Sequence, residues 1–142
     1  MDKKTLILII IGLLGTVLFI IFEMARRKKL KKYWSRSCTG PEWVRRFPQC
    51  HKDKIRDFLG EFTESFMFRK KNILKFSPKD KIIDVYKALY PIEISDALEL
   101  ETFIGTIEKK YGLDLSKINP DVTLGDLFEL VINKNPDFLV SL

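Results

Sequence analysis

Residues 95–111, SDALELETFIGTIEKKY, carry a helix start, an apolar face and an acidic face in one run. Asp96 suits an N-cap, because its carboxylate accepts from backbone N–H groups that a helix start leaves without partners. Leu100, Phe103, Ile104, Ile107 and Tyr111 then follow the i, i+3, i+4, i+7, i+11 spacing of a half-buried helix, and Glu99, Glu101 and Glu108 lie among the remaining positions. Gly112 is a natural C-cap, so 113–119 should be a loop with at most one helical turn. A last helix opens at Thr123, where Thr123 and Asp126 form a capping-box pattern, packs through Leu124, Leu127, Phe128, Leu130 and Val131, and stops near Lys134 before Asn135 and Pro136.

The same periodicity extends upstream. Residues 53–66 place Ile55, Phe58, Leu59, Phe62 and Phe66 on one stripe, with Lys54, Arg56, Asp57, Glu61 and Glu64 off it. Ser77, Pro78 and Asp80 resemble a capping box and predict a helix to about Leu89, ended by Pro91. Between them FMFRKKNILKF, residues 66–76, alternates aromatic and basic residues; it reads as a loop with buried aromatic anchors in preference to a membrane-binding or nucleic-acid-binding strip. Gly105, isolated inside its helix, is expected to permit close helix packing. No strand-like alternation is sustained, which predicts an all-α fold: an N-terminal transmembrane helix followed by a small helical bundle.

From Asp96 onward the chain resembles the second half of an acyl carrier protein, over about residues 81–134. That family places Asp-Ser-Leu at the start of its second helix, an acidic face along the helix, and a Thr-opened last helix after a loop. Here Asp96, Ala97 and Leu98 stand where the family has Asp-Ser-Leu, Tyr111 where it usually has an aromatic residue, and 53–66 fills the place of its first helix. The family's serine carries the phosphopantetheine arm. In this register that position is Ala97, which has no hydroxyl, so no cofactor is expected. The connection 84–96 is longer than the family's short one. The resemblance implies Asp96, Glu99, Glu101 and Glu108 as contacts for a basic protein surface, although the same acids also serve simply to keep a helix soluble.

Charge divides the chain. Residues 1–79 hold 19 Lys and Arg against 7 Asp and Glu, a net of +12, whereas residues 80–142 hold 6 against 12, a net of −6. Residues 6–22 are an uninterrupted run of apolar residues, Gly and Thr, and 5–22 as a helix spans roughly 27 Å, enough to cross most of a bilayer core. An anchor fits better than a signal peptide, since the run exceeds a signal core and no small-x-small cleavage site follows it. Arg26, Arg27, Lys28, Lys29, Lys31, Lys32 and Arg36 outnumber Lys3 and Lys4, so the positive-inside rule puts the C-terminal domain in the cytoplasm, at a bacterial inner membrane if the carrier resemblance holds. Arg26, Arg27, Lys28, Lys29, Lys31, Lys32 and Trp34 are the expected membrane-surface residues, with anionic head groups as partners; the basic run is equally suited to a stop-transfer flank.

Catalysis is not expected. Cys38, Cys50 and the single histidine, His51, lack a fourth ligand for structural zinc, and Ser-His or Cys-His chemistry would have to be built on a loop. No phosphate-cradling loop, nucleic-acid motif or small-molecule substrate is indicated. The expected organisation is a flank at 1–4, a transmembrane helix at 5–24, a basic juxtamembrane segment and linker at 25–50, and a carrier-like helical domain at 51–142. The function expected is a membrane-anchored, non-catalytic interaction module or adaptor. Two alternatives stand beside it: a functional carrier modified at Ser95, and a single-pass protein unrelated to carriers that binds anionic membrane.

Overall fold

The computed structural model describes residues 1–91, 97–119 and 121–141. They form six α-helices, α1 Lys3–Trp34, α2 Gly40–Arg46, α3 Lys52–Ser65, α4 Ile82–Leu89, α5 Leu98–Tyr111 and α6 Leu124–Lys134, with 3₁₀ segments at Lys70–Lys75 and Pro136–Phe138. Among the described residues there is no strand, only two isolated bridges, Cys50 with Leu139 and Lys81 with Thr123. The fold is all-α, a long apolar helix followed by a helical bundle. Asp96, the expected N-cap of α5, and Ser95 lie outside the described residues.

The apolar start of α1 is long and apolar enough to cross a membrane, and its side chains from 3 to 21 are all exposed. Within it the Thr16 hydroxyl donates to the Gly12 carbonyl at 2.9 Å, which satisfies its one polar side-chain group inside the helix itself. The helix does not stop at residue 24. It continues without a break to Trp34, so its 32 residues span about 48 Å. Its last turns bury Leu30 and Tyr33 against the bundle, where α1 meets α4 and the Lys70–Lys75 segment.

This corrects the boundary placed at residue 51. Residues 25–50 are not a linker: besides the end of α1 they include α2, started by Gly40 and Pro41, whose Trp43 is 1% exposed. A short helix forms there because Pro41 at its first turn has no N–H to satisfy, and because Trp43 supplies a large apolar anchor. Thr39 ties the entry of α2 to the neighbouring segment, its hydroxyl donating to the carbonyls of Leu74 at 2.9 Å and Phe76 at 2.7 Å, while Trp43 Nε1 donates to Phe76 O at 2.8 Å.

An aromatic series runs through the core. Trp34 packs edge-on to Phe76 (centroids 5.7 Å apart), Phe76 to Phe62 (4.9 Å), Phe62 to Phe103 (5.2 Å), Phe103 to Phe58 (6.3 Å), Phe58 to Phe128 (5.0 Å) and Phe128 to Trp43 (5.8 Å). The tilted and edge-on geometries are those that ring quadrupoles favour. The stripe expected on 53–66 is the buried face of α3, and Phe66 and Phe76 are the anchors expected of the segment between them. In α5 Phe103, Ile107 and Tyr111 are buried, and Gly112 closes the helix at φ +68°.

Three local expectations change. Ser77, Pro78 and Asp80 form a turn, not a helix start: Asp80 Oδ2 accepts from Ser77 N at 2.7 Å, and α4 begins at Ile82. Leu130 is 42% exposed and Ile132 takes its place, because the buried side of α6 runs 124, 127, 128, 131, 132 and residue 130 falls outside that stripe. Gly105 has open space where a Cβ would stand. The close approach is at Gly125, whose N–H donates to Pro78 O at 2.9 Å and whose Cβ would meet that oxygen at 2.7 Å. Thr123 caps α6 as its spacing predicts, accepting from Asp126 N at 3.1 Å.

Candidate interaction surfaces

Ala97 is the residue directly before the first turn of α5 and is half-buried. Its methyl group offers no nucleophile. Of the acidic side chains expected on this helix, two accept a hydrogen bond from elsewhere in the protein. Glu99 accepts from the Tyr90 hydroxyl at 2.5 Å, and burial followed by this bond pushes the Tyr90 phenol up to about 12. Glu108 accepts from Leu115 N at 2.8 Å and so fastens the loop that follows α5. Glu101 is exposed, with no partner among the described residues. Lys110 bridges α5 to α3 through Asp57 at 3.0 Å and Glu61. Glu99 and Glu108 remain half-exposed, and each carboxylate keeps further acceptor capacity.

The basic run on α1 divides by helical geometry. Arg26, Arg27, Leu30, Lys31 and Trp34 line a cleft beside the bundle and Lys28, Lys29 and Lys32 do not, although Arg27 and Lys31 are exposed like those three and Lys32 lies over the Tyr33 ring at 4.9 Å. Arg26 pairs with Glu23 at 3.0 Å. Trp34, expected at head-group level, packs edge-on against Phe68 at 5.4 Å and against Phe76.

One polar cluster had no local signal in the sequence. Arg36 reaches Asp80 with both guanidinium arms, at 2.6 and 2.7 Å, and Nη1 also donates to Lys75 O at 3.1 Å. Lys75 Nζ in turn donates to Arg36 O, and the Ser77 hydroxyl donates to Glu42 at 2.5 Å. The bond to Asp80 raises the Arg36 pKa, and burial, with the nearby Asp80 and Asp84 carboxylates, holds the Tyr33 phenol well above its ordinary value. Arg36 and Asp80 are 44 residues apart, and periodicity along one element does not reveal such a pair. The cluster fixes the exit of α1 to the turn before α4 and presents no free nucleophile or paired acids. A second long-range pair, Arg46 with Asp126 at 2.6 Å, lies on the surface beside Gly125; the Arg46 bond depresses the Asp126 pKa. Cys38 is an exposed free thiol and Cys50 a buried one, its pKa raised by burial.

Comparison with known proteins gives no relative: no protein-family model, curated protein or solved structure matches the chain.

Proposed function

We propose that the chain is a single-pass membrane protein whose helical domain, on the cytoplasmic side, is a non-catalytic interaction module. The observation that carries this is the unbroken course of α1 from a fully exposed apolar stretch into the core, since removing the apolar part as a signal would leave no reason for its direct continuity with buried Leu30 and Tyr33. The excess of basic residues after the apolar run supports the orientation. The carrier-like register supports the absence of an arm: Ala97 stands at the start of α5 without a hydroxyl. It also assigns a basic protein partner to the outer side of α5, where Glu101 is exposed and Glu99 and Glu108 are half-exposed. One departure weighs on the register, because α4 stands between α3 and α5 and packs on α1, in the place where the resemblance has only a short connection.

Intact-mass spectrometry after incubation with coenzyme A and a broad-specificity phosphopantetheinyl transferase tests the arm. The wild-type mass should not change, and an added arm would overturn the module in favour of a carrier modified at Ser95. A photoreactive side chain at position 101 in membrane vesicles tests the surface: one discrete adduct is expected there and none from position 117. Equal yields from both positions would remove the assigned face.

A further inference from the structure

The end of α1 and the turn after α3 enclose a cleft of about 870 Å³ that neither the carrier resemblance nor the adaptor role uses. One wall carries Arg27 and Lys31 from α1. The other carries Arg69 and Lys71, about 40 residues later in the chain. Trp34 and Phe68 form the apolar floor between them. Among the described residues none of these four cations has a carboxylate partner, unlike Arg26, which Glu23 neutralises. All four are exposed, and gathering cations along two sides of one concave surface makes it complementary to an anion.

The position along α1 identifies the anion. If the apolar run ends at Phe22, Arg27 lies about 7.5 Å and Lys31 about 13.5 Å further along the helix. The polar layer of a bilayer is roughly 5 to 8 Å thick on each side, so Arg27 lies at its outer edge and Lys31 beyond it, from where a long side chain can reach back toward the phosphates. Met67 lines the cleft, is 85% exposed and is the left-handed residue, φ +57°, of the Schellman turn that ends α3. Met67 N donates to Glu64 O at 3.0 Å and Phe68 N to Thr63 O at 2.8 Å, which hold an apolar side chain out in solvent beside a cationic site.

We infer that this cleft binds the head group of one anionic phospholipid from the anchoring leaflet, with Arg27, Lys31, Arg69 and Lys71 around the phosphate and Met67 against the glycerol and upper acyl chains. The inference rests on the membrane tether proposed above. It goes beyond a basic flank, because Arg69 and Lys71 are far from the anchor in sequence and contribute only if the folded cleft is the site.

The test uses the full chain in lipid nanodiscs of phosphatidylcholine with an equal part of phosphatidylglycerol, followed by native mass spectrometry of the lipid retained on release. One phosphatidylglycerol should be kept in preference to phosphatidylcholine. Arg69→Gln with Lys71→Gln should lower that preference about tenfold or more, as should Arg27→Gln with Lys31→Gln, whereas Lys109→Gln with Lys117→Gln, exposed and away from the anchor, should change it less than about twofold. All three pairs are to retain the wild-type circular dichroism; because the walls are tested separately, the folded one of the two decides if the other unfolds. Equal effects from all pairs, or no preference in the wild type, would overturn the cleft and leave the tether intact. A chain that does not stay with the discs would remove the tether and this inference with it.

Discussion

From residue 3 to residue 21 the side chains of α1 are all exposed, whereas from Leu30 onward the same helix is part of the core. Backbone and handedness are common to both halves. What differs is that the first half is apolar on every side and the second only on one, with Arg26, Arg27, Lys28, Lys29, Lys31 and Lys32 around the buried Leu30 and Tyr33. A helix apolar all round needs an apolar solvent, and one with a single apolar stripe needs a neighbouring element. Because no turn separates the halves, the position of the bundle relative to the apolar run is set by helix geometry, with no flexible linker in between.

The largest expected effect comes from cutting within this helix. A chain beginning at residue 25 keeps Leu30, Tyr33 and Trp43 and should unfold cooperatively in urea by far-ultraviolet circular dichroism. A chain beginning at residue 50 should show no cooperative transition. Loss of one fully buried large aromatic costs about 3 to 5 kcal/mol, so losing Tyr33 and Trp43 together removes much of the roughly 5 to 15 kcal/mol that holds a domain. A shorter chain with the longer chain's midpoint would show that the packed half of α1 is dispensable.

The packed half is also held by Arg36 and Asp80. Asp80→Ala leaves the Ser77 N–H without its acceptor and the guanidinium with the Lys75 carbonyl alone; since the Asp80 side chain is 9% exposed but Arg36 still reaches water, the expected loss is about 2 to 3 kcal/mol, below that of a fully buried pair. Denaturant midpoints of the 25–142 chain measure it. An unchanged midpoint would mean that apolar contacts alone dock the helix.

What was legible in the sequence follows from the range of each signal. The buried faces of α3 and α5, the cap at Thr123 and the exposed apolar run depend on residues within a few positions of one another. The docking of α1 does not: in a basic run, Leu30 and Tyr33 look like single apolar interruptions, and their burial depends on α4 and the Lys70–Lys75 segment. Gly40, Pro41 and Pro48 fit the linker expected within 25–50, while Trp43 and Phe47 were large enough to signal a core. Asp80 resembled a helix-start acid because both roles need a carboxylate accepting a backbone N–H. The bonds of Glu99 and Glu108 to Tyr90 and Leu115 were not legible, since those partners reach them only through the folded chain.

Alkali should weaken the packed half by a smaller, gradual amount. Burial, first, and nearby carboxylates raise the Tyr33, Tyr90 and Tyr111 phenols, Tyr90 to about 12. Unfolded tyrosines ionise near pH 10, so between pH 10 and the folded values the unfolded chain has released protons that the native one keeps, and stability falls with rising pH. It is fully present below pH 10. Tyr33→Phe keeps the ring and removes one of the three contributions, so its alkaline decline should be shallower; an identical slope would place Tyr33 outside this linkage.

The smallest effect on the domain is expected from Phe19→Ala, which tests the other side of the comparison. Phe19 is 65% exposed in the structure, so its truncation removes contacts with surrounding solvent and none with the bundle. Phe19→Ala should therefore move the unfolding midpoint of the detergent-solubilised full chain by less than about 0.5 kcal/mol, the range of surface substitutions. Membrane partition responds differently. A phenylalanine at a membrane helix favours insertion by a few tenths of a kcal/mol on insertion scales, so the inserted fraction should fall slightly in a membrane-integration assay. These two measurements are independent only if the halves of α1 are energetically separate. A Phe19→Ala chain whose domain unfolds at lower denaturant would show that the apolar half packs on the bundle or on a second copy of itself, and the separation at residues 22–30 would then fail.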